Sequence, residues 1–448
     1  MKIQNDKENN VLRKIIFGLV LFCLILGGCY ITWLQKEVKL NQEVVSILKL
    51  VPPYDPNVQQ TAFFYAHGFD AFTDVNPSVL GKERYDLDWK LYLADPDTQK
   101  NSQNFAEITA QQIDYKNFWS KEDKKLIAEI QGHLNSADYI ETPFWDENKT
   151  RIETILKQKQ FLLDRYQQEI HHQNYQAVIQ TPTANVPYTL YFDTHILFLA
   201  NLYLKGSTDD VLAYIHLKLD RLNHHLNSVD KALVIVQLNQ AIDVLNILAQ
   251  RQSKQFQLTQ LNAEQLSFEK QAAYEMRNNY YLFKNIDERF KRASDQTTGL
   301  AKLWGEIYRP FAFDFNQSMN QTYLNYQPYV EVSKLPYPNF SVKINQIQLA
   351  KQRKWALSNN IGNILNQVAR LNREDDILRP RLLDNKIQVF NIVNSKQDLD
   401  VLINNKSKEA YVFIRNKNQL CIENPFKNRQ QLNEKLQQDS CVYLYSQS

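Results

Sequence analysis

Glycine is scarce in this chain: 10 in 448 residues, about 2% where about 7% is usual. That shortage argues against folds built on glycine-rich phosphate loops, and neither GxxxxGK[ST] nor GxGxxG occurs. HExxH, GxSxG and CxxC are also missing. The motif-defined nucleotide, zinc-protease and serine-hydrolase classes are therefore excluded, and no cofactor is expected. An excess of one charge is lacking too. Lys+Arg number 52 against 49 Asp+Glu, a net charge of +3, so no nucleic-acid partner is expected of a surface without a basic surplus. Hydrophobic residues at 44% and charged residues at 23% are ordinary globular values. They exclude wholesale disorder and a multi-spanning membrane protein.

Cysteine is the next scarcity, with four residues. Cys23 and Cys29 lie in an apolar N-terminal run, while Cys421 and Cys441 lie near the C-terminus. Four cysteines cannot staple a chain of this length, which buries enough surface to need no staples. The C-terminal two are expected to pair as a disulfide, which suits an oxidising compartment.

Long apolar runs are confined to the start. Residues 15–34, IIFGLVLFCLILGGCYITWL, carry no charge, and an α-helix of about twenty residues spans roughly 30 Å, the thickness of a bilayer core. Arg13 and Lys14 abut it and Trp33 sits near its far end, which favours a cytoplasmic leader at 1–14 and export of the chain beyond residue 34. Residues 15–34 are thus read as a single-pass helix in the lipid bilayer of the bacterial inner membrane, with the bulk of the chain in the periplasm. Within the run, Leu26-Gly27-Gly28-Cys29 resembles a bacterial lipobox. That resemblance implies an alternative, a lipoprotein cleaved before Cys29 and acylated on it. The apolar residues that continue to Leu34, and Asp6 and Glu8 in the leader, count against it.

Beyond the anchor the pattern is mainly helical. Residues 35–56 form a juxtamembrane helix and a hinge at Val51-Pro52-Pro53-Tyr54-Asp55-Pro56. A helical body spans 57–307. Ser120 with Asp123, and Ser207 with Asp210, have capping-box spacing. Helices are predicted over 151–179, 188–205 with a stop at Gly206, 208–227, 229–251 and about 262–290, and their short loops imply antiparallel packing in a bundle or array. Residues 308–340 hold Tyr308, Phe311, Phe313, Phe315, Tyr323, Tyr326, Tyr329, Tyr337 and Phe340. Pro310, Pro328, Pro336 and Pro338 argue against continuous helix there, and the segment reads as an aromatic junction. Helix resumes over 343–371 and 374–384, within a helical segment at 341–395. Residues 396–448 form a small β-containing (α+β) subdomain: strands 411–415 and 420–422 flank a hairpin turn, 441–445 adds a third strand, and a helix is expected at 428–438.

Candidate chemistry is sparse. His171-His172 and His224-His225 are adjacent pairs, with His195 and His216 between them. Neighbours on a helix point about 100° apart and chelate one ion poorly, so no metal site is expected and these read as surface or boundary histidines. His67, Asp70, Glu83, Asp86 and Asp88 could supply an acid–base pair if a pocket gathers them. Among the aromatics, Phe311, Phe313, Phe315, Tyr323, Tyr326 and Tyr329 form a candidate binding surface for an envelope protein or glycan partner, against the alternative that they fill a seam. The expected function is a membrane-anchored, periplasm-facing protein with a non-catalytic binding or assembly role. The alternatives are a periplasmic hydrolase acting on glycan, peptide or lipid, and an immunity-type inhibitor of an exported toxin.

Overall fold

Helices make up most of the described chain, and a small antiparallel sheet lies near its C-terminus. The computed structural model describes residues 39–55, 57–58, 61–93, 118–134, 143–172, 178–179, 181, 186–224, 227–299, 302, 305, 312–347, 359–368, 373–395, 397–408, 411–416, 418–425 and 437–444. Residues 15–34 with Cys29, and likewise Phe311, His225 and most of the helix expected at 428–438, lie outside the described residues. The chain divides into two compact units. The smaller comprises Met1–Ser46, Asn279–Asn325 and Leu349–Leu371; the larger comprises Ile47–Asn278, Tyr326–Gln348 and Asn372–Ser448.

Helix α1 (Gln42–Leu48) is succeeded by α2 (Ala62–His67) and α3 (Pro77–Leu93). Thr61 caps α2 by accepting a hydrogen bond from Phe64 N at 3.3 Å. The scarce glycines matter here. A Cβ on Gly81 would lie 1.8 Å from the Phe64 carbonyl oxygen, and one on Gly68 would lie 2.0 Å from that of Pro77. Only residues without a side chain let these two backbones meet.

Helix α4 (Lys121–Leu134) opens with the expected capping box. Ser120 N donates to Asp123 Oδ2 at 3.1 Å and Asp123 N to Ser120 Oγ at 3.0 Å. The single helix expected over 151–179 is corrected to two, α5 (Phe144–Gln158) and α6 (Gln160–Ile170). They meet at Lys159, which leaves helical geometry at φ −110 and ψ 22. Its ammonium stands 4.0 Å over the Phe118 ring and donates to the Phe118 carbonyl at 3.3 Å. That contact is tertiary, so the helical spacing alone could not signal it.

Helix α7 (Tyr188–Lys205) ends at Gly206 in the left-handed region, φ 65. Helix α8 (Thr208–Arg221) starts at Ser207, whose hydroxyl accepts from Asp210 N at 3.3 Å. Helix α9 (Ser228–Arg251) is buried without a break from Gln237 to Ala249. Among the described residues it is the one helix long and apolar enough to cross a membrane, but most of it is enclosed by the protein, as in the core helix of a large domain. The single helix expected from about 262 is divided at Ser267, giving α10 (Ala263–Leu266) and α11 (Glu269–Asp295).

The proline argument for 308–340 is also corrected. Helix α12 (Phe315–Ser333) runs through Pro328. Proline removes one intrahelical donor, the one that would otherwise bond the Leu324 carbonyl, and Leu324 sits at an exposed position of the helix. Next come α13 (Tyr337–Lys343), α14 (Asn360–Val368), α15 (Glu374–Val393) and α16 (Leu399–Ser407). Helix α15 likewise contains a proline, Pro380, and outruns its expected end at 384.

The sheet has the order β1 (Phe413–Asn416), β2 (Gln419–Ile422), β3 (Cys441–Tyr443), antiparallel throughout. Asn416 pairs with Gln419 across the hairpin, and Cys421 faces Cys441 with the two sulfurs at disulfide distance. The sheet is no separate subdomain. Leu420, Ile422 and Val442 join one apolar core with Leu383, Ile387 and Phe390 of α15 and Ile242 and Leu245 of α9. Asn246 Nδ2 and Gln250 Nε2 of α9 both donate to the Tyr443 carbonyl at 3.0 Å.

In the smaller unit, Phe283 meets Phe313 edge-on at 5.7 Å and Tyr280 meets Phe315 at 5.3 Å. Asn320 of α12 holds the start of the described chain: its Nδ2 donates to the Lys39 carbonyl at 3.0 Å and its Oδ1 accepts from Asn41 N at 2.9 Å.

Candidate functional site

The acidic and histidine candidates near the N-terminus come close in space, three of them around Arg84, and are engaged with one another and with neighbouring cations. Asp70 is buried and accepts from Arg84 Nη1 at 2.5 Å, while the same nitrogen donates to the His67 carbonyl at 2.6 Å. His67 Nε2 lies 3.9 Å from Asp88 Oδ2. Burial pushes the Asp88 carboxyl up to about 6, against the pull of Arg84. Asp86 pairs with Lys82 one helical turn away, and Glu83 is exposed on another face of α3. Helix periodicity spreads these acids around α3 instead of gathering them.

An open groove of about 450 Å³ lies beside them, lined by Asp74, Asp164 and Arg165, and none of the five candidates lines it. Arg165 donates to the carbonyls of Phe69, Ala71 and Phe72. Its guanidinium therefore fixes the turn after α2.

The most concentrated polar chemistry is inside the larger unit, where α6, α7, α8 and α9 meet. Lys218 and Glu169 are each 1% exposed, with Nζ 3.8 Å from Oε2. Tyr191 OH donates to Glu169 Oε2 at 2.6 Å and accepts from Lys218 Nζ at 3.2 Å. The ammonium also lies 5.5–5.9 Å from the ring centres of Tyr166, Tyr191 and Tyr214. Burial lowers the Lys218 pKa and Glu169 opposes that shift.

His195 sits in the same cluster at 0% exposure. Nε2 lies 3.1 Å from Gln240 Oε1, while Nδ1 lies 3.0 Å from Tyr166 OH and 3.2 Å from Tyr214 OH. Gln240 Oε1 only accepts, which assigns the proton to Nε2 and leaves Nδ1 to accept from a tyrosine. Burial first, then the Lys218 charge, push His195 down to about 3, so it is neutral across the physiological range. His195 is thus neither surface nor boundary, which corrects the expectation. His171, His216 and His224 are exposed. Among the described residues no group of three His, Cys, Asp or Glu side chains could hold a metal ion.

The expected aromatic surface is corrected as well. Phe313, Tyr326 and Tyr329 are buried at 2%, 2% and 1% exposure. Tyr326 OH accepts from Arg373 at 2.9 Å and Tyr329 OH donates to Glu374 at 3.2 Å. Phe315 and Tyr323 are half-buried. Large rings bring more stabilisation in the interior than at the surface, which is why most of these turn inward.

Sequence reasoning missed a second open groove, of about 470 Å³, at the C-terminal end of α15. Its wall is rich in carboxamides, including Gln255, Gln260, Gln388, Asn391 and Gln397. Scattered Asn and Gln carry no periodic signal, so only the fold could bring them together. Compared with known proteins, the chain matches no family model, no curated protein and no solved structure.

Proposed function

We propose that the chain is a membrane-anchored, periplasm-facing helical protein with a non-catalytic binding or assembly role in the bacterial envelope. The observation that supports the non-catalytic part is that the acid–base candidates are engaged by their neighbours and line neither groove among the described residues. Asp70 is spent on Arg84, Asp86 on Lys82, and neither open groove is lined by them. A general acid–base pair must face a space that substrate can enter; His67 and Asp88 approach to 3.9 Å, but they line neither groove. The uncharged run at 15–34 supports the anchor. Cys421 facing Cys441 supports an oxidising compartment for the body.

The test is topology together with capture. The full chain is expected in the membrane fraction after a high-salt wash, and alkaline phosphatase fused after Ser448 is expected to be active. A photo-crosslinker at exposed Leu324 is expected to trap a discrete envelope component, unchanged in Asp70→Asn or Glu83→Gln. A freely soluble cytoplasmic chain, or loss of a hydrolytic activity in those variants, overturns the reading.

A further inference from the structure

The carboxamide groove can be assigned a ligand class. It lies in the larger unit, between the non-helical residues 254–262, the last turns of α15 and the side of α16. Gln255, Gln260 and Gln397 are exposed on it, and their side chains make no hydrogen bond to the described residues. Among the described residues no carboxylate lines it, and Lys406 is its one cation. At the inner wall Gln388 is 4% exposed. Its Nε2 donates to Tyr411 OH at 2.9 Å, and its Oε1 has no hydrogen-bond partner among the described residues. A buried acceptor without a partner costs free energy until something donates to it.

Each carboxamide offers two donors and two acceptor lone pairs with no charge to desolvate. Such a wall matches a neutral molecule dense in hydroxyls, each of which both donates and accepts. Ile392 and Leu402 add an apolar strip for the C–H face of a sugar ring. An anionic ligand would need more than one cation. An extended peptide would need an open backbone edge, and that edge is taken. Asn391 Oδ1 accepts from Leu258 N at 2.7 Å and its Nδ2 donates to the Leu258 carbonyl at 2.8 Å, as a neighbouring strand would. The volume falls within the range of small-ligand clefts.

We propose that this groove binds a neutral glycan chain, its hydroxyls held by Gln255, Gln260 and Gln397. The assignment rests on the binding role proposed above and names its ligand. The test uses the full chain in lipid nanodiscs, because a maltoside detergent would itself compete. Saturation-transfer NMR is recorded with chitotetraose and with maltotetraose, for the parent and for Gln255→Ala/Gln260→Ala/Gln397→Ala. These three exposed side chains support no other described group, and far-UV circular dichroism confirms that the fold is unchanged.

The expected result is saturable binding of at least one tetrasaccharide, weakened about tenfold or more in the triple variant. Three results overturn the assignment: no binding of either sugar at millimolar concentration, binding that the triple variant leaves intact, or a neutral unstructured peptide displacing the sugar and losing affinity in the variant. Membrane fractionation and capture through Leu324 do not depend on this groove. If they persist while the sugars fail to bind, the ligand assignment alone falls.

Discussion

Replacing Lys218 by methionine removes the ammonium and leaves Glu169 in a site 1% exposed, with Tyr191 OH as its close donor. At 3.8 Å the lost attraction is about 4 kcal/mol at an effective dielectric of 20. Breaking a buried pair by removing one partner costs about 3–5 kcal/mol, because the other charge stays uncompensated. Glu169→Leu alone should cost a similar amount, since it strands the ammonium among three tyrosine rings. The double variant Lys218→Met/Glu169→Leu removes both charges and keeps the volume. It should lie within about 2 kcal/mol of the parent. The assay is urea unfolding of the full chain and three variants, monitored by far-UV circular dichroism and by tyrosine and tryptophan fluorescence, with coupling taken from the cycle. A Lys218→Met cost below about 1 kcal/mol, or a double variant as unstable as the two singles summed, refutes the idea that this pair holds α6, α7 and α8 together.

Other consequences are open to measurement. His195 is held at about 3 in the fold against about 6.5 unfolded, so its contribution is complete above pH 6.5 and is lost as pH falls from there toward 3. His195→Gln should differ from the parent in the pH dependence of stability by about 1.4 kcal/mol per pH unit across that window, and identical slopes would contradict a buried neutral imidazole. Gly81→Ala drives a methyl into the Phe64 carbonyl and should disrupt the α2–α3 pair, whereas Gly132→Ala, with nothing within 4 Å, should be neutral or stabilise by up to about 1 kcal/mol; equal melting temperatures for the two would count against the close crossing. Cys421 and Cys441 should resist thiol labelling until reductant is added. Replacing both by serine should lower stability on the order of 3 kcal/mol for a loop of about twenty residues, and equal labelling before and after reduction would remove the bond.

Much of the helical framework is legible in the sequence because it is local. Ser120 with Asp123, Ser207 and Gly206 mark helix ends through bonds that span only a few residues. The hairpin and the Cys421–Cys441 register come from alternation and spacing. The buried cage leaves one trace. Lys218 falls on the apolar stripe of α8 with Val211, Tyr214 and Ile215, and Glu169 lies beside Tyr166 and Ile170 on that of α6. A charge at an apolar-stripe position of two helices is a signal for a buried pair.

By itself the sequence determined a mainly helical chain, its caps and stops, the three strands and which cysteines stand opposite each other, since these depend on dihedral preferences and on periods of 3.6 and 2. Only the tertiary structure decided that α5 and α6 part at Lys159, that α12 continues through Pro328, that most of the candidate aromatics turn inward and that scattered carboxamides meet in one groove. Those outcomes depend on contacts between residues far apart in the chain, such as Lys159 with Phe118 and Asn391 with Leu258. Their energies outweigh local propensity but leave no pattern within any one segment.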